Sequence, residues 1–368
     1  MSRIFHNYLL LSADLFHCPY AIIRKILRYP LNLLLPSVFC KEPIMKFEPL
    51  SVIIQKIPMP IFAVALALFA IGNVMSMHHW PQVLFWFCGA LATFCLILFL
   101  GKLALYPDMI KKDLQTSPVL ASVSGGAFMA LIQMATYYVK PLHAGAALIL
   151  WAFSVLGYVL LAIWFSQKFV WEKHDLLQFY PTYFLIYAGL ALAALSAPAF
   201  GQAVLGHFIF WLTLLLFLIV LAVVGWRWFS QPVNTPFRPF FCLFTAPPSL
   251  FFATWLVLFP GLPETAVYAG LAVAQLLFLM VLTYLPRLFK IPFYASYAAL
   301  GFPFVITSYA LTVALNTLTK TGAAIPVWLP LLDYVEFLFA VVAVIYVTVW
   351  YVSFIINYCL ICRGPQTL

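Results

Sequence analysis

Long apolar runs separated by short polar connectors make up most of the chain. Ten of these runs are almost free of charged residues and last about 20 residues, the length of helix that crosses the hydrocarbon core of a bilayer. Strands of a membrane barrel would instead alternate polar and apolar residues in segments of about ten. The pattern therefore predicts an all-α membrane protein. Its predicted spans, numbered 1 to 10 in chain order, are 57–77, 81–100, 118–139, 144–164, 179–200, 206–226, 240–259, 267–285, 292–315 and 329–357.

The basic residues fall almost entirely in every second connector. If the N-terminus is cytoplasmic, all of the 19 Lys and Arg residues except Lys140 and Lys320 lie on the cytoplasmic side. Membrane proteins retain positive charge on that side, and one missed span would destroy the alternation. The distribution predicts an even number of crossings with both termini in the cytoplasm.

Composition narrows the class of protein further. Only 8% of the 368 residues are charged and 65% are hydrophobic, whereas soluble proteins carry about 25% charged residues. The net charge of +9 is scattered among the connectors, so we expect no nucleic acid partner. The seven cysteines mostly accompany apolar runs and indicate neither a metal site nor a redox site. Phosphate-binding, dinucleotide-binding and hydrolase motifs are absent from the sequence, and we expect neither an enzyme nor a cofactor.

The ends of the chain differ from the span region. Residues 1–44 contain Arg24, Lys25 and Arg28 among aliphatic residues, which favours an amphipathic segment on the cytoplasmic face. A start at Met45 is the alternative. The predicted organisation is this segment, a ten-span domain over 45–360, and a cytoplasmic tail over 361–368.

The odd-numbered predicted spans begin at nearly constant intervals, at residues 57, 118, 179, 240 and 292. The unit would be a helical hairpin repeated five times, which a ring could accommodate. The usual length of two helices and their loops explains the same spacing.

Residues that distort helices are concentrated in the odd spans, whereas the even spans carry no interior proline after Pro81. An interior proline frees a carbonyl that needs a neighbour or water, so bent helices tend to line cavities. Ordinary packing is the alternative. The candidate kink residues are Pro58, Pro60, Gly125, Gly126, Pro181, Pro247, Pro248, Gly301 and Pro303, and the candidate polar lining residues are Ser124, Thr182, Ser249, Thr307 and Ser308.

Two acidic residues, Asp333 and Glu336, fall within a span, near the outer end of span 10. Charged groups in a bilayer often mark proton or ion sites, but an interfacial cap or a contact between subunits is the commoner explanation. His78 and His79 end span 1, where solvated interfacial histidines are commoner than metal ligands.

The sequence Gly301-Phe302-Pro303-Phe304 in span 9 resembles the small-Phe-Pro element of the tellurite-resistance and dicarboxylate transporter family, which includes bacterial TehA-like proteins and plant guard-cell slow anion channels. The resemblance covers roughly residues 47–357. It implies ten helices arranged as five hairpins in a quasi-fivefold ring, with the odd helices around a central pore that Phe302 closes. It also implies a homotrimer in the bacterial inner membrane.

Weaker matches accompany this element. Ala246-Pro247-Pro248 is similar to the Ala-Pro kink of the family, and Phe179-Tyr180-Pro181 is similar to its aromatic-Pro element. Span 3 has Gly125 and Gly126 where relatives often bend at proline. The first span departs from the family, with Pro58-Met59-Pro60 in place of a Gly-rich stretch.

Three functions are compatible with these features. The first is passive conduction of small inorganic anions such as chloride and nitrate through an uncharged pore, with Arg227, Arg238, Arg287 and Lys290 at its cytoplasmic mouth. The second is a proton-coupled transporter or exporter of tellurite, sulfite or C4-dicarboxylates, which would need a titratable group inside the membrane. The third is a receptor or assembly factor that conducts nothing.

Overall fold

The computed structural model describes residues 50–172 and 175–356, and within these ranges every regular element is helical. The predicted N-terminal segment 1–44 and tail 361–368 lie outside the described residues. The chain divides into two compact units, Pro49–Thr348 on one hand and Met1–Glu48 with Val349–Leu368 on the other. The structure describes residues 349–356 of the second unit, and they form the end of span 10.

In the described part, nine helical segments are long and apolar enough to cross a membrane, and they coincide with predicted spans 2 to 10. Span 1 is a shorter apolar helix, Ile61–Met77, of 17 residues. The prediction of an all-α membrane protein is confirmed. The bounds of spans 2 to 10 are Gln82–Leu105, Pro118–Val139, Ala144–Trp171, Tyr183–Phe200, Ala203–Ser230, Thr235–Leu258, Glu264–Leu288, Ala295–Thr321 and Trp328–Ile356.

Two further helices flank the first hairpin. Leu50–Lys56 precedes span 1, and the amphipathic helix Pro107–Thr116 follows span 2. Lys102, in the last turn of span 2, is buried, and its Nζ donates a 2.5 Å hydrogen bond to the carbonyl of Ile57. This bond ties the turn before span 1 to the end of span 2.

Burial separates the odd spans from the even ones. In spans 3, 5, 7 and 9, between 78% and 89% of an apolar stretch of 18 residues is buried. In spans 2, 4, 6, 8 and 10 the buried share is only 22% to 39%. Large apolar side chains such as Phe153, Leu215 and Leu276 are exposed on the even spans. Since exposed apolar surface on a membrane helix faces lipid, the odd spans form the inner layer.

Contacts among the odd spans follow a closed order within residues 49–348. Span 1 contacts span 3, span 3 contacts span 5, span 5 contacts span 7, span 7 contacts span 9, and span 9 contacts span 1. Spans 2, 4, 6 and 8 pack from outside against their own hairpin partners, spans 1, 3, 5 and 7, and each also contacts the next odd span.

Spans 3, 5, 7 and 9 change helix type or break within their length. Span 3 is interrupted at Ser124, and span 5 consists of the helices Tyr183–Tyr187 and Ala191–Ser196 followed by a 3₁₀ turn. Spans 7 and 9 begin as the 3₁₀ helices Thr235–Phe244 and Ala295–Leu300 and continue as α-helices. Spans 2, 6, 8 and 10 are continuous α-helices.

The expectation that the even spans lack interior prolines is wrong at two positions. Pro330 is the third residue of span 10, where its missing N–H interrupts no hydrogen bond within the helix. Pro286 lies inside span 8, because this helix continues to Leu288, beyond its predicted end at 285. Pro286 cannot donate to the carbonyl of Leu282, but only two residues of the helix follow it.

Candidate functional site

Phe302 lies where span 9 changes from a 3₁₀ helix to an α-helix. The α-helix starts at Gly301, and a Cβ built on this residue would lie only 2.7 Å from the Cβ of Ala67 in span 1. Pro303 is the third residue of the α-helix, where a backbone N–H has no partner within the helix. Glycine thus permits close contact with span 1, and proline fits the new helix without disrupting it.

Phe302 is 4% exposed and borders a small apolar cavity, here called the phenylalanine cavity. Its other lining residues come from spans 3, 5 and 7, and they are Met129, Phe184, Leu185, Ala188, Gly189, Leu243, Ala246, Pro247 and Leu250. The free volume is about 10 Å³, at the lower limit for one water molecule. Four odd spans therefore meet around Phe302 in a space that is almost filled.

A second cavity, here called the polar cavity, lies between spans 1, 3, 5 and 9. It is lined by Ala70, Asn73, Val74, Gln133, Tyr137, Leu195, Val305, Ile306 and Tyr309, and its free volume is also about 10 Å³. Spans 3, 5 and 9 border both cavities. In each of them, the residues that line the polar cavity come later in the sequence than those that line the phenylalanine cavity. The polar cavity thus lies nearer the C-terminal ends of the odd spans.

Four polar residues of this cavity were not predicted from the sequence, because they are neither charged nor bend-forming and carry no small hydroxyl side chain. They are Asn73, Gln133, Tyr137 and Tyr309. A signal for them exists. Gln133 and Tyr137 are four residues apart, and Tyr309 lies seven residues after Phe302, so each pair occupies one helical face.

The predicted hydroxyl residues make contacts within and between the odd spans. None of Ser124, Thr182, Ser249, Thr307 and Ser308 borders either of the two cavities. Ser249 Oγ lies 3.0 Å from Thr307 Oγ1 between spans 7 and 9, and Thr307 also donates to the carbonyl of Pro303 at 2.9 Å. The contact between Ser249 and Thr307 joins spans 7 and 9.

The remaining hydroxyls differ from one another: Thr182 joins two spans, Ser124 bonds within its own span, and Ser308 in span 9 is unpaired. Ser122 Oγ donates to Thr182 Oγ1 at 2.8 Å across spans 3 and 5, and Ser124 Oγ donates to the carbonyl of Ala121 at 2.6 Å. Ser308 is fully buried, and its Oγ has no hydrogen-bond partner.

The predicted kink residues divide into three groups. Pro247 and Pro248 lie in the first turn of the α-helix of span 7, and Pro247 borders the phenylalanine cavity. Pro181 comes two residues before the first helix of span 5. Pro58 and Pro60 precede span 1, which starts at Ile61, and separate it from the helix Leu50–Lys56 instead of bending it.

The glycines of span 3 mark close approaches to its neighbours. Gly125 follows the interruption at Ser124, and a Cβ on it would lie 2.9 Å from the carbonyl oxygen of Leu185 in span 5. A Cβ on Gly126 would lie 3.3 Å from the ring of Phe62 in span 1. Larger residues at these positions would separate span 3 from both neighbours.

The acidic residues of span 10 lie outside both cavities. Asp333 Oδ1 accepts a 2.7 Å hydrogen bond from Thr312 of span 9, and Asp333 Oδ2 lies 3.7 Å from His78 Nε2 at the end of span 1. Burial lowers the pKa of His78, and the Asp333 carboxylate opposes this shift. Glu336 is 3% exposed and lies close to Gln275 of span 8.

Among the four basic residues predicted at a mouth of the pore, Arg227 is buried, at 6% exposed. Its guanidinium donates to the Leu177 carbonyl at 2.7 Å, the Tyr180 hydroxyl at 3.2 Å and the Pro232 carbonyl at 3.3 Å. Arg227 therefore fixes two connectors to span 6. Arg238 and Lys290 are exposed, and the Arg287 guanidinium lies 5.5 Å from the centre of the Tyr284 ring.

The comparison with protein families gives a match over most of the chain. The family described as voltage-dependent anion channel, SLAC1, matches residues 56–361, a range that includes all ten spans and both cavities. Comparison with curated proteins gives no match. The match confirms the resemblance found at Gly301-Phe302-Pro303-Phe304. The chain therefore belongs to the voltage-dependent anion channel family, whose members are membrane channels or transporters of anions.

Proposed function

We propose that the protein is a channel for small monovalent anions of the chloride and nitrate type, and that Phe302 closes its pore. The single observation that carries this proposal is the position of Phe302. The cavity at its ring is lined by spans 3, 5, 7 and 9, and the adjacent Gly301 packs against Ala67 of span 1. The pore would follow the axis on which the five odd spans converge, as a quasi-fivefold ring would require.

The surroundings of Phe302 suit a hydrophobic gate. Every residue that borders the phenylalanine cavity is apolar, and the free volume of about 10 Å³ leaves no room for a hydrated ion. An ion entering this level would lose its water shell and gain no polar contact in exchange, so the constriction blocks ions without a charge barrier.

The matched test compares two phenylalanines of the same helix. Phe302→Ala opens the cavity, whereas Phe304→Ala removes a ring that packs 5.9 Å from Phe278 and 5.0 Å from Phe339 of the outer spans, measured between ring centres. In planar bilayers we expect Phe302→Ala to raise chloride and nitrate current about tenfold or more, since each 1.4 kcal/mol removed from a barrier is a factor of ten. Phe304→Ala should leave the current low. Three results would contradict the gate. They are an equal current in both variants, a cation-selective current, and no rise of the current with Phe302→Ala.

One observation favours the alternative of a proton-coupled transporter or exporter of tellurite, sulfite or C4-dicarboxylates. Glu336 and Asp333 are buried acidic residues near one end of span 10, and such groups often carry protons in transporters. They border neither cavity, which supports passive conduction instead. Reversal potentials measured across a proton gradient separate the two functions, because coupling would shift them with pH and passive anion flow would not.

We also propose that the protein works as a homotrimer in a plasma membrane, the bacterial inner membrane, with both termini in the cytoplasm. The family resemblance supports the trimer, and the distribution of Lys and Arg supports the orientation. Native mass spectrometry in detergent tests the first statement. Labelling of single cysteines in the connectors of intact cells tests the second.

A further inference from the structure

We infer that Asn73, Gln133, Tyr137 and Tyr309 form a binding site for one dehydrated, halide-sized anion in the pore. This inference rests on the proposed function, because it places a selective site on the same axis as Phe302. These four residues are distinct from the small hydroxyl residues that the sequence predicts in the lining.

The position of the polar cavity supports the inference. Gln133 comes four residues after Met129 on span 3, and Tyr309 comes seven residues after Phe302 on span 9. With a rise of 1.5 Å per residue, the two levels are about 6 to 10 Å apart along the axis. An ion that passes Phe302 would therefore reach these four side chains next.

The chemistry of the four side chains suits an anion. All four are neutral at physiological pH, and each can donate a hydrogen bond through a hydroxyl or an amide N–H₂ group. Tyr137 is within hydrogen-bonding reach of Tyr309 and Asn73, so the cluster is already assembled. Neutral donors bind an anion more weakly than Lys or Arg would, and a conducting site must release its ion.

Gln133 gives an independent sign that the cavity receives a ligand. Its side chain is 4% exposed and borders the cavity, and its amide oxygen is buried without a hydrogen-bond partner. A buried polar group left without a partner is costly. Rotation of the carboxamide by 180° exchanges its oxygen for its N–H₂ group, and a bound anion would then accept from this group.

The size of the cavity limits the ligand. A free volume of about 10 Å³ corresponds to one water-sized species. A chloride or bromide ion stripped of water is somewhat larger than a water molecule, so it would enter with a small outward shift of the lining side chains, whereas a C4-dicarboxylate is far larger. Because water must be removed, weakly hydrated bromide should enter more readily than strongly hydrated fluoride.

The first experiment detects the ion directly. Crystals of the full chain are soaked in sodium bromide, and anomalous diffraction is recorded for the wild type, for the double variant Tyr137→Phe with Tyr309→Phe, and for Tyr183→Phe. The last is a matched control, because Tyr183 is a buried tyrosine of span 5 that borders neither cavity. We expect a bromide peak beside Tyr137 and Tyr309 in the wild type and in Tyr183→Phe, and a weaker one in the double variant. No peak, or an equal peak in the double variant, overturns the inference.

The second experiment measures selectivity in the Phe302→Ala background. Gln133→Leu should reduce the bromide-to-fluoride permeability ratio about three- to tenfold, as the loss of one hydrogen bond would do. The double tyrosine variant removes two hydroxyls and should reduce the ratio at least as much, whereas Tyr183→Phe should not change it. Current with an unchanged ratio overturns the selective site and leaves the channel proposal standing. If Phe302→Ala carries no current, the channel proposal fails, and the bromide peak still decides whether the site exists.

Discussion

The hydroxyl of Tyr158, in span 4, donates a hydrogen bond to the carbonyl of Leu185 at the interruption of span 5. The first helix of span 5 ends here, because the N–H of Gly189 bonds to the carbonyl of Phe184 at 3.0 Å rather than to that of Leu185. Leu185 and Gly189 both border the phenylalanine cavity. A side chain of the outer layer thus stabilises the break in an inner span beside Phe302.

We predict that Tyr158→Phe lowers the stability of the protein by about 1–3 kcal/mol, the cost of leaving a buried carbonyl without a donor. Tyr158 is fully buried, so water cannot replace its hydroxyl. The melting temperature in detergent measures the effect. Tyr268→Phe is the control, because Tyr268 donates to an exposed carbonyl, that of Ala324, at 3.3 Å. Equal melting temperatures for wild type and Tyr158→Phe would show that this bond is not needed.

Gly301→Ala should lower the melting temperature and change the conductance. The added Cβ would lie 2.7 Å from the Cβ of Ala67, so span 9 must move away from span 1 at the level of Phe302. Gly225→Ala is the matched control, since nothing lies within 4 Å of a Cβ at this helical position. There we expect unchanged stability or a gain of about 0.5–1 kcal/mol, because alanine favours helix over glycine. A tolerated Gly301→Ala would mean that the two spans are not tightly packed.

The sequence was sufficient to predict the spans and their two layers. The length of the apolar runs defined spans 2 to 10 to within a few residues at most ends, because every crossing helix needs about 20 apolar residues to span the hydrocarbon core. The bending residues also identified the inner layer, since Gly301 and Pro247 belong to the junctions around Phe302.

The polar lining could not be predicted in the same way. Whether a hydroxyl faces a cavity or a neighbouring helix depends on the rotation of its span, which changes at every 3₁₀ segment and break. Thr307 was expected in the lining, but it bonds to Ser249 between spans 7 and 9. Asn73 and Tyr309 border the polar cavity although neither is charged, small or bend-forming.

Arg227→Lys should destabilise the protein nearly as much as Arg227→Ala. The guanidinium bonds to Leu177 through Nε and to Tyr180 and Pro232 through one terminal nitrogen, and a single ammonium group cannot reproduce this fork. We expect a loss of about 3 kcal/mol or more, because hydrogen bonds from a charged group contribute about 1.5–3 kcal/mol each. Thermal unfolding in detergent measures it.

The control for this variant is Arg287→Lys. The Arg287 guanidinium is only partly buried and lies over the Tyr284 ring, and a lysine can keep such a contact. We expect a small change there. If Arg227→Lys is as mild as Arg287→Lys, the geometry of the Arg227 hydrogen bonds is not needed for stability.

The last prediction concerns pH and His78. Burial lowers the pKa of His78 below its usual 6.5 despite the nearby Asp333 carboxylate. Between the lowered pKa and 6.5, the unfolded chain binds more protons at His78 than the folded chain does. The contribution of His78 to stability therefore decreases as pH falls through this window.

The variant His78→Gln tests this effect. Glutamine retains a hydrogen-bonding group for Thr312, which lies 3.2 Å from His78 Nε2, but it cannot titrate. Between about pH 7.5 and 5.5, the range in which histidine titrates, the melting temperature should therefore fall less in His78→Gln than in the wild type. His79→Asn is the control, because His79 is exposed and has a positive φ of 57°, a conformation that asparagine tolerates. An identical pH dependence in all three proteins would show that the carboxylate pairing of His78 cancels the effect of its burial.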